Sequence, residues 1–176
     1  MKKIGVVLTN LGTPDAPTKE ALKVYLREFL QDPRVIEIPK LAWYPILYGI
    51  ILNTRPAKSA EKYQIVWDNG SPLLNITKAQ AEKLQALLPE NYEVTVAMRY
   101  GNPSIKKAID EMIAKKVDEI VIFPLYPQYS AATTASVSDK TNEALKALRY
   151  FPAVRMIGAY YKNPLYIDAC MEQIKK

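Results

Sequence analysis

Four short runs rich in β-branched and apolar residues, Ile4 to Leu11, Val94 to Tyr100, Glu119 to Tyr126 and Val154 to Tyr161, alternate along this chain with stretches of helical periodicity. The runs are nearly continuous in apolar character, the pattern of strands covered on both faces. After Asn102 and Pro103, which read as an N-cap and first-turn pair, Ile105, Ala108, Ile109, Met112 and Ile113 recur at helical spacing. Val137, Thr141, Leu145 and Leu148 form a second stripe; Ile167, Cys170, Met171 and Ile174 form a third behind the start Asn163 and Pro164. The order strand, helix, strand, helix predicts an α/β fold with a four-stranded parallel sheet and helices on both faces. Ligands of such sheets sit beyond the carboxyl ends of the strands. Those ends carry Asn10 to Thr13, Arg99 to Asn102, Tyr126 to Thr134 and Tyr160 to Lys162, which are predicted to form one rim.

The interval between the first two strands is less regular. A helix is predicted from about Thr18 to Leu30, with Leu22, Tyr25, Leu26 and Phe29 on one face, and another from about Thr77 to Leu88, opened by a Thr77 and Gln80 capping box. Between them Leu41 to Leu52 is almost wholly apolar and aromatic, contains Pro45 and Gly49, and runs into Arg55, Lys58 and Lys62. It is too short to cross a bilayer. Two readings stand: an ordinary buried helix, or an exposed lip that closes over a flat apolar ligand or meets a membrane surface through Trp43, Tyr44 and Tyr48. With 176 residues the chain suits one domain, residues 1–176, with the lip as an insertion at about 40–56.

The residue inventory excludes several chemistries. There is no histidine and one cysteine, Cys170, so a Ser–His nucleophile, an internal disulfide and a thiolate metal cluster are ruled out. No tight carboxylate cluster is visible, and neither dinucleotide-binding nor P-loop glycine spacing occurs. The net charge of +6 favours an anionic ligand or lipid over an acidic protein surface, or reflects a solvated lysine-rich exterior. Arg99, at the end of a strand, either binds an anion or pairs with a neighbouring carboxylate. Ser130, Thr133, Thr134 and Ser136 supply four hydroxyls in seven positions before a helix, more than capping needs and suited to an anion seat.

The segments LTNLGTPDAPT, YLREFLQDPRVIEIP, NGSPLLNIT, AMRYGNPS and PLYPQYSAATTAS, in this order, resemble the N-terminal half of bacterial ferrochelatases of the proteobacterial type. The resemblance covers essentially the whole chain. It implies the chelatase fold, of which this would be one of two Rossmann-like halves, with protoporphyrin IX held in the cleft between them. The complete enzyme would insert ferrous iron, a substrate, into that porphyrin to form protoheme; no resident cofactor is implied. Carried over by position, Leu11 would pack near the macrocycle and Arg55 would lie by the lip near the porphyrin carboxylates. Arg99 and Tyr100 would line the cleft, and Tyr129 and Ser130 would sit at its mouth near the propionates. No catalytic or metal-binding residue of the family falls in this stretch, because its histidine and glutamate belong to the C-terminal half.

These expectations make the chain inactive alone and in need of its C-terminal half. The resemblance tips residues 41–52 toward an exposed lip and a peripheral membrane contact, with a cytoplasmic location at the inner membrane and no nucleic-acid partner. It also implies that one apolar sheet face is left bare. A rival reading is a noncatalytic tetrapyrrole-binding or assembly module that needs a partner chain. A chelatase for cobalt or nickel fits the fold but fits the YPQYS and NLGTPDAP segments less well.

Overall fold

In the computed structural model, which describes residues 1–175, the chain forms a four-stranded, all-parallel sheet in the order β2-β1-β3-β4. The central strand β1 (Ile4–Thr13) pairs on one side with β2 (Tyr92–Gly101) and on the other with β3 (Glu119–Pro124), and β4 (Ala153–Met156) extends the sheet beyond β3. Successive side chains of β1 point to opposite faces, so each face has its own core. Val7, with Ala97, Ile120 and Ile122, packs under α5 (Ile105–Ala114) and α6 (Ser136–Lys146). Val6 and Leu8, with Val94, Val96 and Val121, pack under Ala81 and Leu84 of α4 (Pro72–Leu87). The stripe predicted for α5 is buried as expected: Ile105, Ala108, Ile109 and Met112 all face the sheet.

A third core lies past the carboxyl ends of β1 and β2. There α1 (Lys19–Leu30) lays Leu22, Tyr25, Leu26 and Leu30 against Leu47, Leu52, Ala60 and Tyr100. The two strands meet closely at this end. Gly12 has φ +114°, and a Cβ there would lie 1.9 Å from the Tyr100 carbonyl oxygen; Gly101 has φ +82°, and its Cβ would lie 2.6 Å from the Thr13 carbonyl oxygen. Only glycine fits such a left-handed, backbone-to-backbone approach.

Several boundaries differ from the sequence expectation for identifiable reasons. The helix expected to open at Thr77 begins at Pro72, after Ser71. Thr77 is buried inside it, where its hydroxyl donates to the Leu73 carbonyl (2.7 Å) and accepts from Asn10 Nδ2 (3.1 Å), so it ties α4 to β1 rather than capping. Asn102 and Pro103 precede α5 without starting it. The Pro103 carbonyl instead accepts from Met98 N (2.6 Å), and Ser104 caps the helix through Lys107 N. The last strand stops at Met156, paired with β3 from Glu119 to Ile122, and Ile157 N donates to the Ile122 carbonyl (3.0 Å). Beyond it, Tyr160 N and Tyr161 N both donate to the Pro127 carbonyl.

The exposed side of β2 is blocked rather than left open. Gln85 accepts from Val94 N (2.7 Å) and donates to the Tyr92 carbonyl (2.9 Å), using up edge groups that would otherwise template another strand. Helix α7 (Pro164–Ile174) starts at Asn163 as predicted but buries none of its residues, with Leu165 at 78% and Ile174 at 84% exposure.

Two glycine substitutions should move stability in opposite directions in urea unfolding. Gly12→Ala should lower it by more than about 2 kcal/mol, since it combines a forbidden φ with a backbone clash. Gly49→Ala, in a helical turn where a Cβ meets nothing within 4 Å, should raise it by roughly 0.5 kcal/mol or more.

Candidate functional site

Asp32, in the turn after α1, is the point where the carboxyl ends of the strands are joined to the helices. Its Oδ1 accepts from Arg34 N (2.7 Å). Its Oδ2 accepts from Arg99 Nη2 (2.5 Å), Tyr100 OH (2.7 Å) and the Ser136 hydroxyl. Arg99 Nε donates in turn to both the carbonyl (3.0 Å) and the hydroxyl (2.6 Å) of Ser136, and its guanidinium lies 4.4 Å over the Tyr100 ring. The Arg99 and Asp32 side chains are 10% and 2% exposed, so this is a buried ion pair with its remaining valences largely filled. Burial alone would push the Asp32 carboxyl up. The donors Ser136, Tyr100, Arg34 N and Arg99 outweigh that and hold it below the ordinary carboxylate value.

Of the two sequence readings of Arg99, the structure shows the carboxylate pair. Tyr100 is fully buried beside it, packed edge-on against Phe29, instead of lying on an open wall. Leu11 is half-buried against the same core. Arg55, Tyr129 and Ser130 are exposed, and none of the ion pairs among the described residues includes Arg55. The six residues named from sequence therefore divide into a buried pair, a half-buried leucine and three surface groups on two separate segments.

The apolar segment is one uninterrupted helical stretch. Helix α2 (Lys40–Ile46) passes through a π-helical turn (Leu47–Ile51) into α3 (Leu52–Val66), despite Pro45 and Pro56. Asn53 Nδ2 donates to the carbonyls of Tyr48 and Gly49, and Thr54 Oγ1 to that of Ile50, which covers groups loosened by the wide turn. Both sequence readings are partly met. Leu47 and Leu52 are buried, and Trp43 is an anchor whose Nε1 donates to the Leu30 carbonyl (2.8 Å). Leu41, Ile46, Tyr48 and Ile50 are exposed, at 93%, 43%, 46% and 60%. Lys40, Leu41, Tyr44, Pro45 and Tyr48 line a shallow apolar hollow.

Two adjoining grooves of about 570 and 500 Å³ share Thr13, Pro14, Asp15 and Asn102 at the carboxyl ends of β1 and β2. Trp67, Ser71, Lys78 and Lys107 border one; Glu20, Glu28 and Lys106 border the other. Ser71 was not singled out from sequence, although Ser71-Pro72 is a legible helix start. A smaller hollow of about 340 Å³ at the ends of β3 and β4 holds Tyr129, Thr134 and Gly158 beside the paired Arg34 and Asp139. Burial pushes the phenols of Tyr25, Tyr100 and Tyr126 well above their usual range, so they stay protonated. Among the described residues no three metal-capable side chains gather, and no helix is long and apolar enough to cross a membrane.

The family model for ferrochelatase matches residues 3–176. The chain is 51% identical over 181 aligned positions to a ferrochelatase of Brucella anthropi, with 100% of this chain and 52% of the relative covered. It is 50% identical to the ferrochelatase of Brucella canis, covering 100% of this chain and 51% of that protein. The chain thus spans about half the length of the curated relatives it matches.

Removing one partner of the buried pair should cost far more than removing a surface cation. Arg99→Ala should lower stability by about 3–5 kcal/mol, against under about 0.5 kcal/mol for Arg55→Ala, in urea unfolding near neutral pH. Asp32 titrates below its unfolded value of about 4, so its contribution is fully present above that value and is lost as pH falls through the folded one. Unfolding free energies measured from about pH 6 down to pH 3 should show this loss, and Asp32→Asn should flatten it.

Proposed function

This chain belongs to the ferrochelatase family, and we propose that it forms one wall, with the lip, of a porphyrin cleft in an enzyme that inserts ferrous iron into protoporphyrin IX to give protoheme. The observation that carries this reading is an exposed apolar helical segment that carries the exposed Arg55 on its continuation, in a chain whose parallel strands also leave open grooves at their carboxyl ends. A flat apolar dianion needs that combination: apolar area for the ring and a forked cation for a carboxylate. Tyr129 and Ser130, exposed on the rim, are suited to a second polar contact. Arg99 is engaged by Asp32 and Ser136, which leaves Arg55 as the better placed carboxylate partner.

Iron enters this reading as a substrate, and the chain is assigned no resident cofactor. Metallation requires two pyrrole protons to leave the ring. With no histidine in the sequence and the buried phenols held protonated, this chain offers binding and orientation but no base suited to neutral pH. The wall therefore acts with a complementary half that supplies the base and the iron ligands, and alone it does not turn over. Binding energy from ring contacts remote from the metal would support distortion of the macrocycle.

The lip suits a second role at a membrane surface. Residues 38–60 carry Lys40, Arg55 and Lys58 and no acid, next to exposed Leu41 and Ile50. Apolar insertion with flanking cations is the chemistry of a peripheral contact with anionic headgroups.

Protoporphyrin fluorescence tests the first reading. The chain should quench or shift it on titration, with no metallation by ferrous or zinc ion above the buffer rate; metallation by the chain alone would overturn the assignment of the base to the other half. Arg55→Ala should weaken binding of the dicarboxylic porphyrin by about tenfold, the loss of roughly 1.5 kcal/mol, and that of the diester less. Equal losses would count against carboxylate pairing. For the lip, Leu41→Ser and Ile50→Ser should each leave stability within about 0.5 kcal/mol and reduce sedimentation with phosphatidylglycerol vesicles; unchanged sedimentation would remove the membrane role.

A further inference from the structure

The rim turn that carries Tyr129 and Ser130 has no side-chain cap of its own. Ser130 begins a π-helical turn (Ala131–Ala135) without a side-chain hydrogen bond at its start. What closes the turn is the Ser130 carbonyl, which accepts from Ala135 N (3.2 Å), Thr133 N (3.3 Å) and Thr133 Oγ1 (3.4 Å). The next residue is Ser136, fully buried, and its hydroxyl donates to Asp32 while it and its carbonyl receive Arg99 Nε. A continuous path of single contacts thus runs from Asp32 to Ser136, across one peptide to Ala135 N, and on to the carbonyl of Ser130. The same loop reaches the same helix again at the surface, where Arg34 holds Asp139 by two bonds of 2.7 and 3.2 Å.

We propose that Asp32 is a positioning residue for the porphyrin wall, which through Ser136 and Arg99 presets the rim turn bearing Tyr129 and Ser130 to receive a ligand carboxylate. This rests on the porphyrin-wall reading above. Asp32 lies 5% exposed and touches no open surface, so it acts only through these partners. Its geometry is suited to the task. Four donors, from its own turn, from β2 and from the start of α6, fix one carboxylate in both position and orientation. A rim held in its binding shape before the ligand arrives spends less affinity on ordering. The consequence is a selective one: loosening this path should harm recognition of the carboxylates while leaving the apolar contacts of the ring on the lip.

The test uses variants that remove a donor to Asp32 without changing charge, Ser136→Ala and Tyr100→Phe, because Asp32→Asn would also uncover the Arg99 charge. Binding of protoporphyrin IX and of its dimethyl ester is measured by fluorescence on variants shown by circular dichroism to be folded. Ser136→Ala should weaken the diacid about tenfold, the loss of one charge-assisted contact, and leave the ester within twofold. Its amides at residues 131–135 should exchange hydrogen faster than in the unaltered chain, with exchange in the sheet unchanged. Tyr100→Phe should show the same split, and it decides the matter if Ser136→Ala does not fold. Equal losses for diacid and ester, or unchanged binding in a folded variant, would overturn the proposal. Failure of the unaltered chain to bind either porphyrin would overturn the wall reading, and this inference with it.

Discussion

A carboxylate taken out of water has to find its donors inside the protein, and the turn after α1 places Asp32 where two other segments must supply most of them. Arg99 and Tyr100 come from the end of β2, and Ser136 is the first residue of α6. Once Asp32 is ionised, these segments cannot drift apart without exposing an unpaired buried charge. Magnitude matters here. Replacing a buried pair by apolar side chains is often neutral, whereas breaking one costs about 3–5 kcal/mol. The pair's distinctive effect is thus to fix one arrangement of the strand ends, rather than to add stability that a hydrophobic plug could not.

That arrangement explains why the remaining groups stand where they do. The close contact of Gly12 with Tyr100 and of Gly101 with Thr13 brings the carboxyl ends of β1 and β2 together. The lip packs on the same side, anchored by Trp43 on the Leu30 carbonyl and by Leu47 and Leu52 in the α1 core. Its outward residues, Leu41 and Ile50 above all, are apolar surface that the chain does not cover itself. Such surface beside a cationic Arg55 is what a wall for a flat anionic ring requires, and the same combination suits a membrane surface.

The central sheet was legible because strands covered on both faces read as nearly continuous apolar runs, as β1 and β3 do. Helices α1, α5 and α7 were legible from their periodicity, and α7 from its start as well, where Asn163 accepts from Leu165 N; for α1, capped by Thr18 accepting from Ala21 N, only an approximate start was legible. The lip resisted because Pro45 and Gly49 argue against a helix locally, while the π-helical turn that absorbs them is sustained by Asn53 and Thr54 farther along. Asp32 was not legible as a buried hub. In QDPRV it reads as an exposed turn acid, and only the fold brings Arg99 and Ser136 to it. For the same reason sequence left Arg99 evenly divided between anion binding and a carboxylate pair: the deciding partner is 67 positions away.

The claim that this pair holds the strand ends together is tested most directly by a double-mutant cycle in urea at neutral pH. Asp32→Asn, Arg99→Met and the double variant are compared with the unaltered chain. Because each single change strands the other partner, the double variant should lose less than the sum of the two singles by at least about 1 kcal/mol. Losses that simply add, to within about 0.5 kcal/mol, would mean that the two side chains act independently and that the strand ends are held by something else.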